Sequence, residues 1–426
     1  MAVHKFSSTA QDDMLSLQLE RLQWTVKHAY DNSKFYRRKM DELSVVPAEI
    51  KSLNDLTKLP LTDKEELRDA YPLGLMAVPE REIIRIHASS GTTGKKTVAC
   101  YTKKDIDDWA EMMARCFQFA GITADDRVQI TPGYGLWTAG VGFQFGVERL
   151  GAMAIPVGPV NNELQMELMV DFQTTAFCST SSYALLLAEE VTRQGIKDKL
   201  KLRVGIIGSE RWSDKMRSRV EELLGIETFD IIGMTELYGP GIGIDCHVHE
   251  GIHYWSDHFI FEILDPATGK PCPPGEQGEL VATTLSKEGM PLLRYKTRDI
   301  TRLLAEPCAC GSPYFRIDRI LGRTDDMIKI RGVNIYPGQI DSLLSQMAEV
   351  SCEYQIILKR LEGRDQMLLR VEAKQGDDSD RELLANKVQQ AVKIKIGVTP
   401  QVEIAEHQSL PRTERKTKRV FDQRDE

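Results

Sequence analysis

The sequence predicts an α/β protein with a large N-terminal domain, built on a mostly parallel, helix-covered sheet with a β-rich subregion, and a small α+β C-terminal domain. Three observations lead there. From about residue 125 to residue 235, short apolar runs alternate with helix-like stretches, the β-α-β pattern of a parallel sheet covered on both faces. After residue 240 turn residues become dense between β-like runs, which suggests hairpins. Beyond Gly322 short strands and helices mix over about 100 residues, enough for a compact unit of its own.

The first 80 residues read as helical and polar, with Leu15, Leu17, Leu19, Leu22 and Val26 as apolar positions at roughly helical spacing, and Asn54 to Pro60 as a turn region. The sheet strands are Val128-Gln129-Ile130, Ala152 to Pro156, Ala176-Phe177-Cys178, Val204 to Ile207 and Phe229 to Ile232. Folds of this kind place ligands at the carboxyl ends of their strands. Ser209 and Glu210 follow one such end, and Thr235 and Glu236 follow another. Asp265 to Gly269 and Pro273-Pro274-Gly275 mark hairpin turns. The last part offers a strand at Met327 to Ile330, a helix after Pro337, strands near 354–359 and 367–373, a helix near 380–394 and a strand at Val402 to Ile404. There is no internal repeat and no low-complexity segment.

With 426 residues, 42% of them hydrophobic, the chain is long enough for two or more domains with cores of their own. It lacks any run of about 18 apolar residues, and its N-terminus lacks the apolar stretch of a secretory signal, so a cytoplasmic protein with no membrane partner is expected. A net charge of -8 argues against a general nucleic-acid binder. The basic stretch Arg412, Arg415, Lys416, Lys418 and Arg419 reads first as a solvated face, with a nucleic-acid tail or one functional lysine as the alternatives. Eight cysteines are too thinly spread for a disulfide scaffold.

The run His87 to Thr97 packs hydroxyls, glycines and lysines into one short segment. Its centre, Ser89-Ser90-Gly91-Thr92-Thr93-Gly94-Lys95, suits phosphate: glycine lets successive N–H groups face an anion, hydroxyls add donors and the ammonium offsets charge. It is not a Walker loop, because only Thr92 and Thr93 separate Gly91 from Gly94 where that motif has four residues. Further along, Thr235-Glu236 at a strand end offers a hydroxyl to phosphate and a carboxylate to Mg²⁺, which takes hard oxygen ligands. Arg294 to Asp299 offers an acid, placed after a strand, for two ribose hydroxyls. Gly322 to Asn334 and Ser409 to Lys416 complete the set.

In this order and spacing the segments resemble the core motifs of the adenylate-forming superfamily of acyl-CoA synthetases and ligases. Tyr134-Gly135-Leu136-Trp137-Thr138, Gly146 to Gly151, Thr235-Glu236 with Gly239-Pro240-Gly241, and Gly332 to Pro337 are similar to the phenylacetate-CoA ligase family, and the likeness runs from about residue 15 to residue 420. The resemblance implies a large domain, 1–324, that binds AMP and the acyl group, and a small mobile lid, 325–426. It implies a two-step ligation: a carboxylate attacks the α-phosphate of ATP to give acyl-adenylate and pyrophosphate, and the thiol of coenzyme A then displaces AMP. Phenylacetate is the first acid to expect, Mg²⁺ the cofactor, and a homodimer the expected assembly.

Carried over by residue, the resemblance assigns Ser89 to Lys95 to the β- and γ-phosphates, Thr235 to the α-phosphate and Glu236 to Mg²⁺. Asp299 takes the ribose, Arg323 the ribose or phosphate, and Ser209 and Glu210 lie near the adenine, with Asp230, Gly233 and Met234 in the same nucleotide site. Asp325 is the hinge. Lys416 stabilises the pentavalent phosphate, although Arg415 stands where the family has glycine, so Lys418 is the alternative. Ile232 replaces a common aromatic, leaving apolar contact to the adenine without stacking. Tyr134, Trp137, Gly233 and Pro240 line the acyl pocket, where the two aromatics could flank an aryl ring. Other readings are an adenylating enzyme with another acceptor and a nucleotide-binding protein without catalysis.

Cys246-His247-Val248-His249-Glu250-Gly251-Ile252-His253 and Cys308-Ala309-Cys310 supply enough sulfur and imidazole for a tetrahedral zinc site of structural character. Cys246, His253, Cys308 and Cys310 are the expected ligands, His247 is the substitute for His253, and reduced unliganded thiols are the alternative.

Overall fold

The computed structural model describes residues 10–89, 96–330, 333–361, 364–377, 379–411 and 418–424. The chain opens with helices α1 (Ala10–Asn32), α2 (Lys34–Glu42) and α3 (Lys64–Asp69), followed by the hairpin of β1 (Arg85–Ala88) and β2 (Val98–Tyr101). The α1 stripe differs from the expected one. Leu15 is exposed, and the inward positions are Met14, Gln18, Leu22, Thr25, Val26 and Ala29. Two of these are polar and used: Gln18 Nε2 donates to Ser256 O at 2.8 Å, and Thr25 Oγ1 accepts from Ser286 N at 3.2 Å.

Next come α4 (Lys103–Phe119), β3 (Arg127–Ile130), α5 (Ala139–Leu150), β4 (Met153–Ile155), α6 (Asn162–Asp171), β5 (Ala176–Thr180), α7 (Ser181–Gln194), β6 (Val204–Gly208), α8 (Asp214–Leu224) and β7 (Glu227–Met234). The turn-rich part supplies β8 (Gly239–Asp245), β9 (Ile252–Tyr254), β10 (Phe259–Leu264), β11 (Gly278–Thr284), β12 (Tyr295–Thr301), β13 (Leu303–Leu304) and β14 (Arg316–Ile317). One sheet has the order β13-β14-β9-β8-β7-β6-β5-β3-β4. In it β4 and β5 run parallel to β3, and β6 parallel to β7, whereas β8 and β9 turn antiparallel. A second, antiparallel sheet holds β10, β11 and β12. The Asp265 turn closes its first hairpin as expected: Asp265 side-chain oxygens accept from Ala267 N and Thr268 Oγ1, both at 2.8 Å.

The C-terminal part begins with β15 (Gly322–Arg323) and the hairpin of β16 (Ile328–Ile330) and β17 (Val333–Ile335), then α9 (Pro337–Leu344), β18 (Val350–Leu361), β19 (Arg364–Ala373), α10 (Arg381–Ile396), β20 (Gln401–Ala405) and β21 (Val420–Gln423). Its sheet has the order β20-β19-β18-β21, and β21 is a strand the sequence pattern did not announce. Ile328, Ile340, Ile356, Leu369, Val388 and Val392 are at the centre of its own apolar core. The chain divides into two compact units: 1–179, 199–209 and 227–319 form one, and 180–198, 210–226 and 320–426 the other. Among the described residues no helix is long and apolar enough to cross a membrane.

Candidate active site

The turn joining β7 to β8 carries Thr235 and Glu236. Leu237 and Tyr238 N–H groups both donate to Met234 O, at 3.1 and 3.3 Å, and the pairing register shifts between Ile232 and Gly233, a bulge that sets Gly233 opposite Pro240. Gly239 and Gly241 have φ of +128° and +89°, and a Cβ on them would lie 2.4 Å from the Trp109 ring and 2.0 Å from Met113 Sδ. Only glycine lets this hairpin press onto α4.

The residues that flank the phosphate-loop candidate are bonded to each other. Ser89 N donates to Thr97 O at 2.9 Å, and Thr97 N donates to Ser89 Oγ at 3.2 Å. Thr97 Oγ1 is 2.8 Å from Ser89 Oγ and 3.1 Å from Glu236 Oε1. The intervening Ser90, Gly91, Thr92, Thr93, Gly94 and Lys95 lie outside the described residues; on one side of them Thr97 bonds the Glu236 carboxylate, and on the other Ser89 bonds Thr97. Glu236 is 8% exposed, and Lys64 Nζ, from α3, lies 3.5 Å from its Oε1. Thr97 belongs to the polar run already singled out; Lys64, a lone lysine in a charged helix, gave no signal.

The segment after β3 joins the same place. Leu136 O accepts from Ala88 N at 3.0 Å and lies 3.1 Å from His87 Nδ1, which stitches it to β1. Thr138 Oγ1 is 3.5 Å from Thr235 Oγ1. The Tyr134 hydroxyl is buried without a hydrogen-bond partner among the described residues, and burial raises its pKa. Trp137 is 39% exposed, with Lys96 Nζ 5.4 Å from its ring centroid.

The remaining candidates spread out. Ser209 follows β6 in a left-handed conformation, φ +69°, and Asp230 N, in the neighbouring β7, donates to Asp245 Oδ1 at 2.8 Å. Glu210 belongs to the other compact unit and accepts from Ser182 Oγ. Asp299 is not after a strand but inside β12, on its buried face with Tyr295, Thr297 and Thr301, and its N–H donates to Thr297 Oγ1 at 3.1 Å. The residue before it, Arg298, has φ +69°, a kink that apolar patterning does not reveal. Arg323 forks onto Asp325, at 2.9 and 3.2 Å. Lys416 lies outside the described residues; Lys418 is exposed, 5.2 Å from the Phe421 ring centroid.

Cys246, His253, Cys308 and Cys310 come together, with all four ligand atoms within 4.8 Å of one another. Cys246 Sγ and Cys308 Sγ are 3.7 Å apart, and Cys310 Sγ and His253 Nε2 are 3.4 Å apart. A tetrahedron with metal–sulfur bonds of about 2.3 Å has edges of about 3.8 Å, whereas a disulfide needs sulfurs at about 2.05 Å. Burial pushes the His253 pKa down to about 4, so its ring is neutral at pH 7. Its Nδ1 is 3.1 Å from Tyr314 O, which places the proton on Nδ1 and leaves the Nε2 lone pair for a cation. His247 is exposed and outside the cluster. Cys246 follows Asp245, the residue that holds Asp230 of β7.

Residues 17–285 match the family described as AMP-binding enzyme, and residues 332–424 match the AMP-binding enzyme C-terminal domain. With the fold and the converging segments, this sets the chain in the class of AMP-forming acid–thiol ligases. It is 44% identical over 419 residues to the phenylacetate-coenzyme A ligase of Pseudomonas putida, covering 97% of this chain and 95% of that protein. Its identity to the phenylacetate-coenzyme A ligase of Thermus thermophilus is 41% over 433 residues, 97% of each chain. The chain belongs to the phenylacetate-coenzyme A ligase family of adenylate-forming enzymes. Among solved structures, 2-hydroxyisobutyryl-CoA ligase with a bound acyl-adenylate superposes with a TM-score of 0.90 at 28% identity, covering 100% of this chain and 94% of that one.

Proposed function

We propose that the chain makes the coenzyme A thioester of an arylacetic acid, phenylacetate first, through an acyl-adenylate. The observation that carries this reading is the convergence of three segments: the Ser89 and Thr97 pair bonded to Glu236 through Thr97, Thr235 beside Thr138, and the stretch that leads into Thr138, whose Tyr134 hydroxyl is buried and unpartnered among the described residues. A carboxylate reacts poorly because its leaving group is oxide; adenylation supplies AMP instead. In the first step the acid's oxygen bonds to the α-phosphorus of ATP and pyrophosphate leaves, and in the second the coenzyme A sulfur takes the acyl carbon and AMP leaves. The protein's share is positioning and charge stabilisation.

In this reading the Ser89 to Lys95 loop orients the departing pyrophosphate, and Thr235 meets the α-phosphate. Glu236 would hold Mg²⁺, whose charge offsets that of the phosphates. Asp299 and Arg323 take the ribose side, Ser209, Glu210, Asp230 and Met234 the adenine side, and Tyr134, Trp137, Gly233 and Pro240 the acyl group. Lys416, or Lys418 in its place, stabilises the adenylation transition state. Residues 325–426 act as a lid on the Asp325 hinge, and the enzyme works as a homodimer. The Cys246, His253, Cys308 and Cys310 cluster would hold a structural Zn²⁺, a fit supported by the 3.7 and 3.4 Å ligand spacings.

ATP–pyrophosphate exchange across a panel of acids, followed by thioester assay, tests the reaction. The expected result is the highest kcat/KM with phenylacetate in both. Exchange without thioester selects another acceptor, and no exchange with any acid selects a binding protein. For the metal, elemental analysis should give one zinc per chain, and chelation should lower Tm; well under one zinc per chain removes the site.

A further inference from the structure

Lys287 lies in the loop between β11 and β12 and is 0% exposed. Nothing in its sequence context explains why a lysine should be there. Among the described residues no carboxylate is close enough to form an ion pair with it. Burying an ammonium without such a partner is costly, and an apolar side chain of similar length would fill the space more cheaply.

What the ammonium touches is the back of the Thr235–Glu236 turn. Nζ donates to Glu236 O at 3.3 Å and, at closer range, to Leu237 O. It lies over two adjacent rings, 5.0 Å from the Tyr101 centroid and 4.8 Å from that of Tyr238, where the π-electrons favour a cation. The same carbonyl row is held further along: Tyr101 OH donates to Tyr238 O at 2.8 Å, and Trp109 Nε1 donates to Pro240 O at 2.9 Å. The root of the lysine is fixed as well. Asp105, at the start of α4, accepts from Glu288 N and Gly289 N, each at 2.8 Å. The clamp therefore runs from α4 through the loop to two successive carbonyls.

We infer that Lys287 is a positioning residue for adenylation: seated over Tyr101 and Tyr238, it fixes the Glu236 and Leu237 carbonyls from behind, so that the Thr235 hydroxyl and the Glu236 carboxylate stay aimed at the phosphates. This rests on the roles proposed above for Thr235 and Glu236. A small displacement of groups that must meet a phosphate is expensive in rate, and a turn held only by its own hydrogen bonds would drift.

The test separates the half-reactions. In Lys287→Met, phenylacetate-dependent ATP–pyrophosphate exchange should fall by about tenfold or more and half-saturating Mg²⁺ should rise, while thioester formation from supplied phenylacetyl-adenylate and coenzyme A stays within about threefold. Lys287→Arg, which keeps the charge and the donors, should recover most of the exchange. Exchange within about twofold of the parent in a folded Lys287→Met, or equal losses in both half-reactions, overturns the inference. Should Lys287→Met not fold, Lys287→Gln carries the same readouts. Glu236→Gln is run alongside. If it leaves exchange and Mg²⁺ dependence intact, the reading of Glu236 fails; if it abolishes exchange while Lys287→Met does not, only the role of Lys287 fails.

Discussion

Two cations, one in each compact unit, sit against tyrosine faces and donate to backbone carbonyls, and they differ in one respect. Lys287 lies over Tyr101 and Tyr238 and holds Glu236 O and Leu237 O with dipoles alone. Arg419 lies 4.6 Å from the Tyr354 centroid, donates to Tyr354 O at 3.3 Å and also pairs with Glu353 at 3.0 Å. Burial lowers the Lys287 pKa to about 8 against the pull of Asp105, Cys100 and Glu236. Burial also acts to lower that of Arg419, but Glu353, Tyr354 and Asp341 outweigh it and the net shift is upward. The carboxylate makes the second cation an anchor, holding β21 on β18 where the chain leaves the Arg412–Thr417 stretch. Without a carboxylate at ion-pair distance, the first is a charge the fold carries at a cost, which is what a functional constraint produces.

The largest effect that would break or sharpen this contrast is on stability. Arg419→Met leaves Glu353, a nearly buried acid, without its cation, so the C-terminal unit should lose on the order of 3 kcal/mol, read as a lower denaturant midpoint. Glu353→Gln should cost less, because Arg419, 16% exposed, keeps some solvent and its Tyr354 contacts. Lys287→Met should behave oppositely. Removing a buried charge with no ion-pair partner should leave the midpoint unchanged or raised while exchange collapses. If Lys287→Met instead unfolds as readily as Arg419→Met, the two cations are both structural anchors and the contrast disappears.

How much of this was legible in the sequence depends on whether the residues act through pattern or through position. The strands β3 to β7 are short apolar runs between helix-like stretches, and periodicity finds them. The Cys246, His253, Cys308 and Cys310 cluster is legible because cysteine and histidine are rare and their chemistry is narrow; only geometry separates His253 from His247. Gln18 and Thr25 were invisible as core residues because hydropathy assigns polar side chains to solvent, and only the fold supplies the Ser256 carbonyl and Ser286 N–H that satisfy them. β21 follows a basic run and reads as tail until it pairs parallel to β18. Lys64 and Lys287 are single lysines in polar surroundings, and nothing local distinguishes a clamp from a solvated surface residue. What makes Lys287 a clamp is Tyr101 and Tyr238, brought to it from segments up to 186 residues away.

The smaller effect is on pH dependence, and it tests the same contrast without a stability threshold. A lysine whose folded pKa is about 8 against an ordinary 10.5 binds fewer protons folded than unfolded between those values. Stability therefore gains from this group as pH rises through that window, by about 3 kcal/mol at most, because the folded state sheds a buried charge. Adenylation should move the other way, since a neutral amine holds the two carbonyls less firmly. Around the ammonium, Cys100 is itself pushed up to about 11, and Tyr101 and Tyr238 lie well above the ordinary tyrosine value, all through burial. Those three groups keep their protons across the lower part of the window, while Asp105 and Glu236 act on the ammonium from beyond ion-pair distance. Exchange in the parent should thus fall above about pH 8 while the denaturant midpoint, corrected by that of Lys287→Met at each pH, rises. Lys287→Arg, charged throughout, should hold its exchange to higher pH. Parallel falls of activity and corrected stability would mean that the lysine contributes to the fold as Arg419 does.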